Sequence, residues 1–179
     1  MQAIQPIQME QAGSGTRRLM EGMKSEQGAV PNMLRTMANS PQVVEGYLQF
    51  VHALQAGKLA PQLRERIALA VAQANHSEYA LSQHAWQAAR AGLTQQEIQQ
   101  SREGDVADAK LKAALRFAQA LASRHPETPV TDLRDAGYTD GEILEIVALV
   151  AVNEFEALFD RVAKTEIDFP KVGWKTRAA

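Results

Sequence analysis

From residue 31 onward, apolar side chains recur at intervals of three and four and strand-like alternation is almost absent, which predicts an all-α protein. Ser40 is placed to cap a helix that starts at Pro41, with Val44, Tyr47, Leu48, Val51 and Leu54 on one face until Gly57 stops it. Pro61 opens a second helix along the stripe Leu63, Ile67, Ala70, Val71 and Ala74, and Ser77 starts a third that runs to Gly92. Thr94 with Glu97 makes a capping box. An alanine-rich helix follows over about residues 106–123, turning Leu111, Leu115, Ala118 and Leu121 inward. A second box, Thr139 with Glu142, opens the most apolar helix of the chain. The segment before Gly28 carries Gly13, Gly15 and Gly22 and few large apolar groups, and its periodicity specifies no element.

One stretch repeats. Ala91-Gly92-Leu93-Thr94, followed by Glu97-Ile98, returns 45 residues later as Ala136-Gly137-Tyr138-Thr139, followed by Glu142-Ile143. Each copy is a glycine helix stop followed at once by a capping-box start, so it reads either as a generic connector or as the trace of a duplicated helical hairpin. Two copies are too few for a solenoid, and the expected architecture is a compact bundle.

Composition narrows the possibilities. The chain has 179 residues, 45% of them apolar and 22% charged, which suits one globular domain able to bury about 70% of its unfolded surface without a staple. A net charge of −2 without a basic field argues against nucleic acid. The longest apolar run, 146–152, is far short of the ~20 residues of a membrane span, and the amino terminus lacks a basic and an apolar signal region. A soluble, cytoplasmic protein is expected. The count of cysteines is zero, which removes disulfides, thiolate metal sites and cysteine nucleophiles together.

The candidate chemistry lies where the second helix meets the third. Glu65 is followed after eleven residues by Ser77, then by Ala80 and by His84. This spacing resembles the alkylhydroperoxidase D and carboxymuconolactone decarboxylase superfamily, whose redox members carry Glu, eleven residues, Cys-x-x-Cys, three residues and His. The likeness extends to Val30-Pro31-Asn32-Met33-Leu34, Ser40-Pro41, the approach Leu63-Arg64-Glu65-Arg66 and the closing Thr165-Glu166-Ile167-Asp168-Phe169-Pro170, features similar to the peroxidase-related branch. It implies an AhpD-like helical domain over 28–170, preceded by an N-terminal extension, 1–27, and followed by a tail, 171–179. It also implies a homo-oligomer and an antioxidant, peroxiredoxin-type activity in which two cysteines act while the Glu and His relay protons.

Ser77 and Ala80 occupy the two cysteine positions, and that activity is closed to the chain as written. A hydroxyl is separated from a free thiol by about seven pKa units, on the order of 10 kcal/mol, and a helix N-terminus returns only ~0.3–2 kcal/mol. An alanine methyl neither forms nor resolves a disulfide. Serine and alanine are also the replacements an experimenter would choose, so loss by design and loss by descent read alike. A carboxylate, an imidazole and a hydroxyl remain on converging helices. His84, with an ordinary pKa near 6.5, is a plausible acid–base group facing a pocket that Ala80 enlarges, and Glu65 reaches it if the two helices pack antiparallel. The bland alternative makes Ser77 an N-cap and His84 a hydrogen-bonded interface histidine.

Further candidates are weaker. His76 is eight residues from His84, without metal-ligand spacing, and reads as an exposed junction histidine, so no metal or other cofactor is expected. Tyr79 is a pocket candidate or a packing aromatic. Phe155 and Phe159 read as core or subunit-interface anchors, while Glu156 and Asp160 stand where related proteins tend to show asparagines; near the pocket they would make it acidic. Three functions stay open: a peroxidase-family scaffold without its cysteines, a non-redox acid–base enzyme of decarboxylase type on a small carboxylate or lactone, and a non-catalytic oligomer that binds a small molecule.

Overall fold

A computed structural model describes residues 2–125 and 129–174 of the chain. Among these residues it contains a short 3-10 turn, Met9–Gln11, and nine α-helices. The helices are α1 (Ser14–Gln27), α2 (Asn32–Met37), α3 (Pro41–Gln55), α4 (Pro61–Ala74), α5 (Glu78–Arg90), α6 (Gln95–Glu103), α7 (Ala109–Ala122), α8 (Val130–Asp135) and α9 (Asp140–Ala163). None is long and apolar enough to cross a membrane.

Helix α4 is the axis of the bundle. Its residues Ile67, Ala68, Leu69, Ala70, Val71 and Ala72 are all buried, as befits a helix that meets neighbours all round. It packs against α5, α6, α7 and α9. Ile67, Ala70 and Val71 join Leu115 of α7 and Ile146 of α9 in the largest apolar cluster, while Leu69 and Ala72 face Leu81, Ala88 and Ile98 on the other side. Small alanines let the helices approach closely, and fully buried leucines and isoleucines each contribute roughly 1.5–3 kcal/mol by leaving water.

The sequence signals at helix ends are realised with two exceptions. The capping boxes of Thr94 with Glu97 and Thr139 with Glu142 are both closed, and Gly92 and Gly137 take φ of 93° and 84°. Ser40 makes no side-chain cap bond; Pro41 at the first helical position carries that start instead. The helix expected from residue 106 begins at Ala109, because the Asp108 carboxylate accepts the Leu111 amide and sets the cap there. The 45-residue echo is confined to the connectors: the helices flanking the first copy have 13 and 9 residues, those flanking the second 6 and 24. The capping reason therefore accounts for it better than a duplicated hairpin.

The described parts of both flanking segments pack on the bundle. In the extension, Ala12 and Met20 are buried with Met33, Met37 and Val44, and the Ala3 amide donates to the Ala163 carbonyl. Beyond α9 the chain runs back across α5. Asp168 accepts the Asn32 amide at 2.8 Å and the Tyr79 hydroxyl at 2.9 Å, and the Val172 amide donates to Ser82 Oγ. Of the expected tail, residues 175–179 lie outside the described residues.

Candidate active site

The corner between α4 and α5 is built by local geometry. The chain leaves α4 at Asn75, passes through His76 in the left-handed region at φ 57°, and re-enters a helix with Ser77 as N-cap, its Oγ accepting the Ala80 amide at 3.2 Å. The two helices then run antiparallel, bringing His84, on the second turn of α5, level with Glu65 on the second turn of α4.

His84 is 7% exposed and has a carboxylate on each ring nitrogen. Nδ1 donates to Glu65 Oε2 at 2.9 Å, and Nε2 donates to Glu156 Oε2 from α9 at 3.2 Å. The other oxygen of Glu156 accepts the hydroxyl of Tyr47, from α3, at 2.6 Å. Four helices thus each supply one member of a continuous chain, Glu65, His84, Glu156 and Tyr47. Burial alone would lower the pKa of His84, but the hydrogen bonds and charges of Glu156 and Glu65 outweigh it and push it up to about 10. Burial and the neighbouring Glu156 raise the Tyr47 phenol well above its ordinary value. At neutral pH His84 is therefore an imidazolium, which revises the expectation of an acid–base group with an ordinary pKa near 6.5. The carboxylates are the acceptors here, and Glu65 is the more open, at 22% side-chain exposure against 4% for Glu156.

This chain forms part of the wall of a cavity of about 210 Å³ between α3, α4, α5 and α9. Its buried surface includes Gln83, Ala68 and Asn153, and Arg64, Gln55 and Gln87 stand in more open positions. Tyr47, Val51 and Gln83 also line a second, more apolar cavity of about 500 Å³ under α1, so the two adjoin.

The structure brings together only half of the four-residue motif. Ser77 and Ala80 do not line this cavity. Ala80 is 2% exposed among Leu69, Ala72 and Leu81, so its methyl fills a packed apolar cluster and enlarges no pocket beside His84. Ser77 Oγ faces Asp160 Oδ2 at 3.4 Å, and burial raises the pKa of that carboxyl against the opposing hydrogen bonds from Thr165 and Ser77. Tyr79 is not in the cavity either: its hydroxyl accepts the buried Met33 amide and donates to Asp168, locking α5 to α2 and the C-terminal segment. His76 is exposed and packs at a tilt against Trp174, with ring centroids 4.2 Å apart and an interplanar angle of 51°.

Residues 41–123 match the family model described as the carboxymuconolactone decarboxylase family. Over that segment the chain is similar to this family. No curated protein matches it by sequence. Among solved structures it is similar to a peroxidase-related protein from Ralstonia eutropha JMP134, described as an alkylhydroperoxidase AhpD core, with 20% identity, 93% of this chain and 92% of that chain covered, and a TM-score of 0.85. A peroxidase-related protein from Silicibacter sp. TM1040 gives 20% identity, 91% of each chain and a TM-score of 0.80. The debrominase Bmp8, as a cysteine-to-alanine variant in complex with 2,3,4-tribromopyrrole, gives 22%, 92% and 91%, and 0.81. At these identities the likeness is one of fold.

Tyr47 and Asn153 were missed by periodicity, which scored the first as apolar face and stopped the apolar run one residue short of the second. Asn153 follows Leu149 and precedes Glu156 at helical spacing, and polar residues in a buried stripe were the available signal. Because the folded pKa of His84 is raised, its contribution to stability is complete below about pH 6.5 and is lost as pH rises through about 10. Wild type should therefore exceed His84→Gln in thermal unfolding temperature near pH 6, with the gap closing toward pH 10. The His84 ring resonances should keep imidazolium shifts at pH 8.

Proposed function

We propose that this chain works without thiols: it holds a small organic molecule in the 210 Å³ cavity and moves a proton on it. Glu65 is the base, His84 the fixed imidazolium that stabilises its charge, and Glu156 with Tyr47 the buried counterpart that keeps the ring in place. The observation that carries this reading is the unbroken chain Glu65, His84, Glu156, Tyr47 along a cavity wall, in a sequence with no sulfur nucleophile. A neutral imidazole is not needed as base, since a carboxylate with partial access to the cavity is present. The complex of the structurally similar debrominase with a halogenated pyrrole supports a small-molecule reading for this fold.

Proton transfer by a positioned group contributes about 10²–10⁴-fold. Purified protein should therefore catalyse deuterium exchange from solvent into at least one member of a panel of small acids, lactones and neutral ketones, followed by NMR. Glu65→Gln should reduce that rate by about two orders of magnitude or more. Exchange indifferent to Glu65→Gln and His84→Gln, or bound ligand with no exchange across the panel, would make the chain a binding protein.

Asp160 strengthens the non-redox reading. A carboxylate 3.4 Å from position 77 suits a hydroxyl and opposes a thiolate, because like charge raises a thiol pKa. Ser77→Cys with Ala80→Cys should give only faint dithiol-dependent hydroperoxide reduction, and adding Asp160→Asn should raise it about tenfold. Equal rates with and without Asp160→Asn would remove that carboxylate from the account.

We further propose a homo-oligomer. Leu144, Val147, Phe155, Leu158 and Val162 form an exposed apolar stripe along α9, with Leu144 at 69%, Leu158 at 46% and Val162 at 67% exposure, and Phe50 of α3 is exposed as well. Light scattering should show an assembly larger than 19.6 kDa that Leu158→Glu with Val162→Glu converts to monomer. A wild-type monomer would refute the assembly.

A further inference from the structure

The cavity that holds the proton chain is small for the work it would do. At about 210 Å³ it takes little more than one small ring, since roughly 150 Å³ is enough for benzene. Sites for drug-sized ligands run to roughly 300–1,000 Å³. The adjoining cavity under α1, about 500 Å³, falls within that range. Tyr47, Val51, Gln83 and Gln87 line both, and the Tyr47 hydroxyl is turned inward to Glu156. The two cavities differ in chemistry. The inner wall carries the charged groups Glu65, His84 and Glu156. In the outer cavity Pro31 and Leu34 are buried, Leu48 is half-buried, and Leu19 of α1 adds apolar surface at 40% exposure. Its charged groups are peripheral: Arg18 and His52 are exposed, and Glu45 is half-buried. Helix α1 is seated there by Met20, buried against Met33, Met37 and Val44, so this roof belongs to the packed fold.

A charged inner chamber that adjoins an apolar outer one matches a molecule with two unlike ends. We propose that the two cavities form one bipartite site, for a substrate with a compact polar head that carries the acidic C–H and an unbranched or flat apolar tail of several carbons. The head lies inside, against Glu65 and His84. The tail passes between Tyr47 and Gln83 and lies on Pro31, Leu34 and Leu48 beneath α1. A small molecule confined to the inner chamber would leave that apolar floor in water, whereas each methylene laid on it strengthens binding about three- to fourfold. Contact remote from the reacting atoms then fixes how deep the head enters and which carbon it presents to Glu65. This rests on the proposed proton transfer and deepens it by naming the substrate class.

The test uses the full chain and the methyl ketones from butanone to decanone, with affinities measured by ligand-observed NMR at pH 7. Affinity should rise about three- to fourfold per methylene once the chain outgrows the inner cavity. The terminal methyl of bound decanone should show nuclear Overhauser contacts to Leu34 and Leu48. Two changes on α1 probe the outer cavity. Gly22→Phe adds a ring from a position where a new Cβ meets no atom within 4 Å, and Leu19→Asp removes apolar surface from a residue that is already exposed. Both variants should keep a cooperative unfolding transition, and each should reduce the gain per methylene to below about twofold. The readout is the slope of affinity along the series. A flat series, as a closed wall at Tyr47 or a second copy seated over the outer cavity would give, overturns the proposal. So do decanone contacts confined to Leu54 and Leu149, or a slope untouched by both variants. A chain-length gain without solvent exchange at any length would sink the proton-transfer reading and leave the bipartite site standing, whereas Glu65-dependent exchange with a flat series would do the reverse.

Discussion

A buried imidazole that faces a carboxylate on each nitrogen has no neutral form that satisfies both. One ring nitrogen of neutral histidine carries a lone pair, and here it would point at a carboxylate oxygen. The protonated ring donates twice, and Glu65 and Glu156 neutralise it with one carboxylate in excess. Burying such a charge is tolerable only because the partners are in place, and removing one partner of a buried pair commonly costs 3–5 kcal/mol. This constraint organises the molecule: α4, α5 and α9 must hold their register to within a hydrogen-bond length, and α3 is drawn in by Tyr47 on the far oxygen of Glu156. The cavity beside the chain of bonds is then a consequence of four helices meeting around a charged ring that they cannot crowd with apolar groups.

The residues in which this chain differs from the superfamily pattern fall into separate places in the structure. Ser77 pairs with Asp160 at the start of α5, Ala80 is absorbed into the apolar packing between α4, α5 and α6, and Glu156 belongs to His84. The first two changes concern a thiol centre and the third concerns the proton chain. Asp160 is compatible with a hydroxyl at position 77 and unfavourable to a sulfur anion, while Glu156 gives His84 a second carboxylate that helps to hold the ring as a standing cation. The hydroxyl–carboxylate contact at position 77 and the doubly paired imidazolium are thus two physically distinct features on the same pair of helices, α5 and α9.

Much of the fold was legible because helix ends declare themselves locally. Thr94 with Glu97, Thr139 with Glu142, Pro41, Pro61 and the two left-handed glycines each satisfy or release backbone groups within a few residues, so no tertiary knowledge is needed. Asp108 was overlooked for the reason that its effect is equally local but its letter is shared with ordinary surface acids. The pairing of Glu65 with His84 was readable from spacing on two antiparallel helices. Tyr47 was not: on α3 its ring counts as apolar, and only the arrival of Glu156 from 109 residues away turns its hydroxyl into part of the site. The position of Ala80 was misread because a residue four before His84 shares its face of the helix in projection, whereas packing against α6 on one flank and α9 on the other divides that face in two.

Helix α9 carries two contrasting faces. One face buries Leu149, Val152, Asn153 and Glu156 and builds the cavity floor; the opposite face exposes Leu144, Leu158 and Val162. Phe155 belongs to this exposed stripe, at its inner edge, 38% exposed, with its ring 6.0 Å from Tyr47 and 6.3 Å from Phe159. The orientation of Tyr47, and with it the outer hydrogen bond of the proton chain, is therefore supported by a ring that solvent reaches. Covering the stripe with a second copy would take Phe155 out of water and restrict the ring that braces Tyr47. The exposed stripe and the site share this contact, and a substitution at Phe155 acts on both at once, whereas changes at Leu158 or Val162 act on the stripe alone.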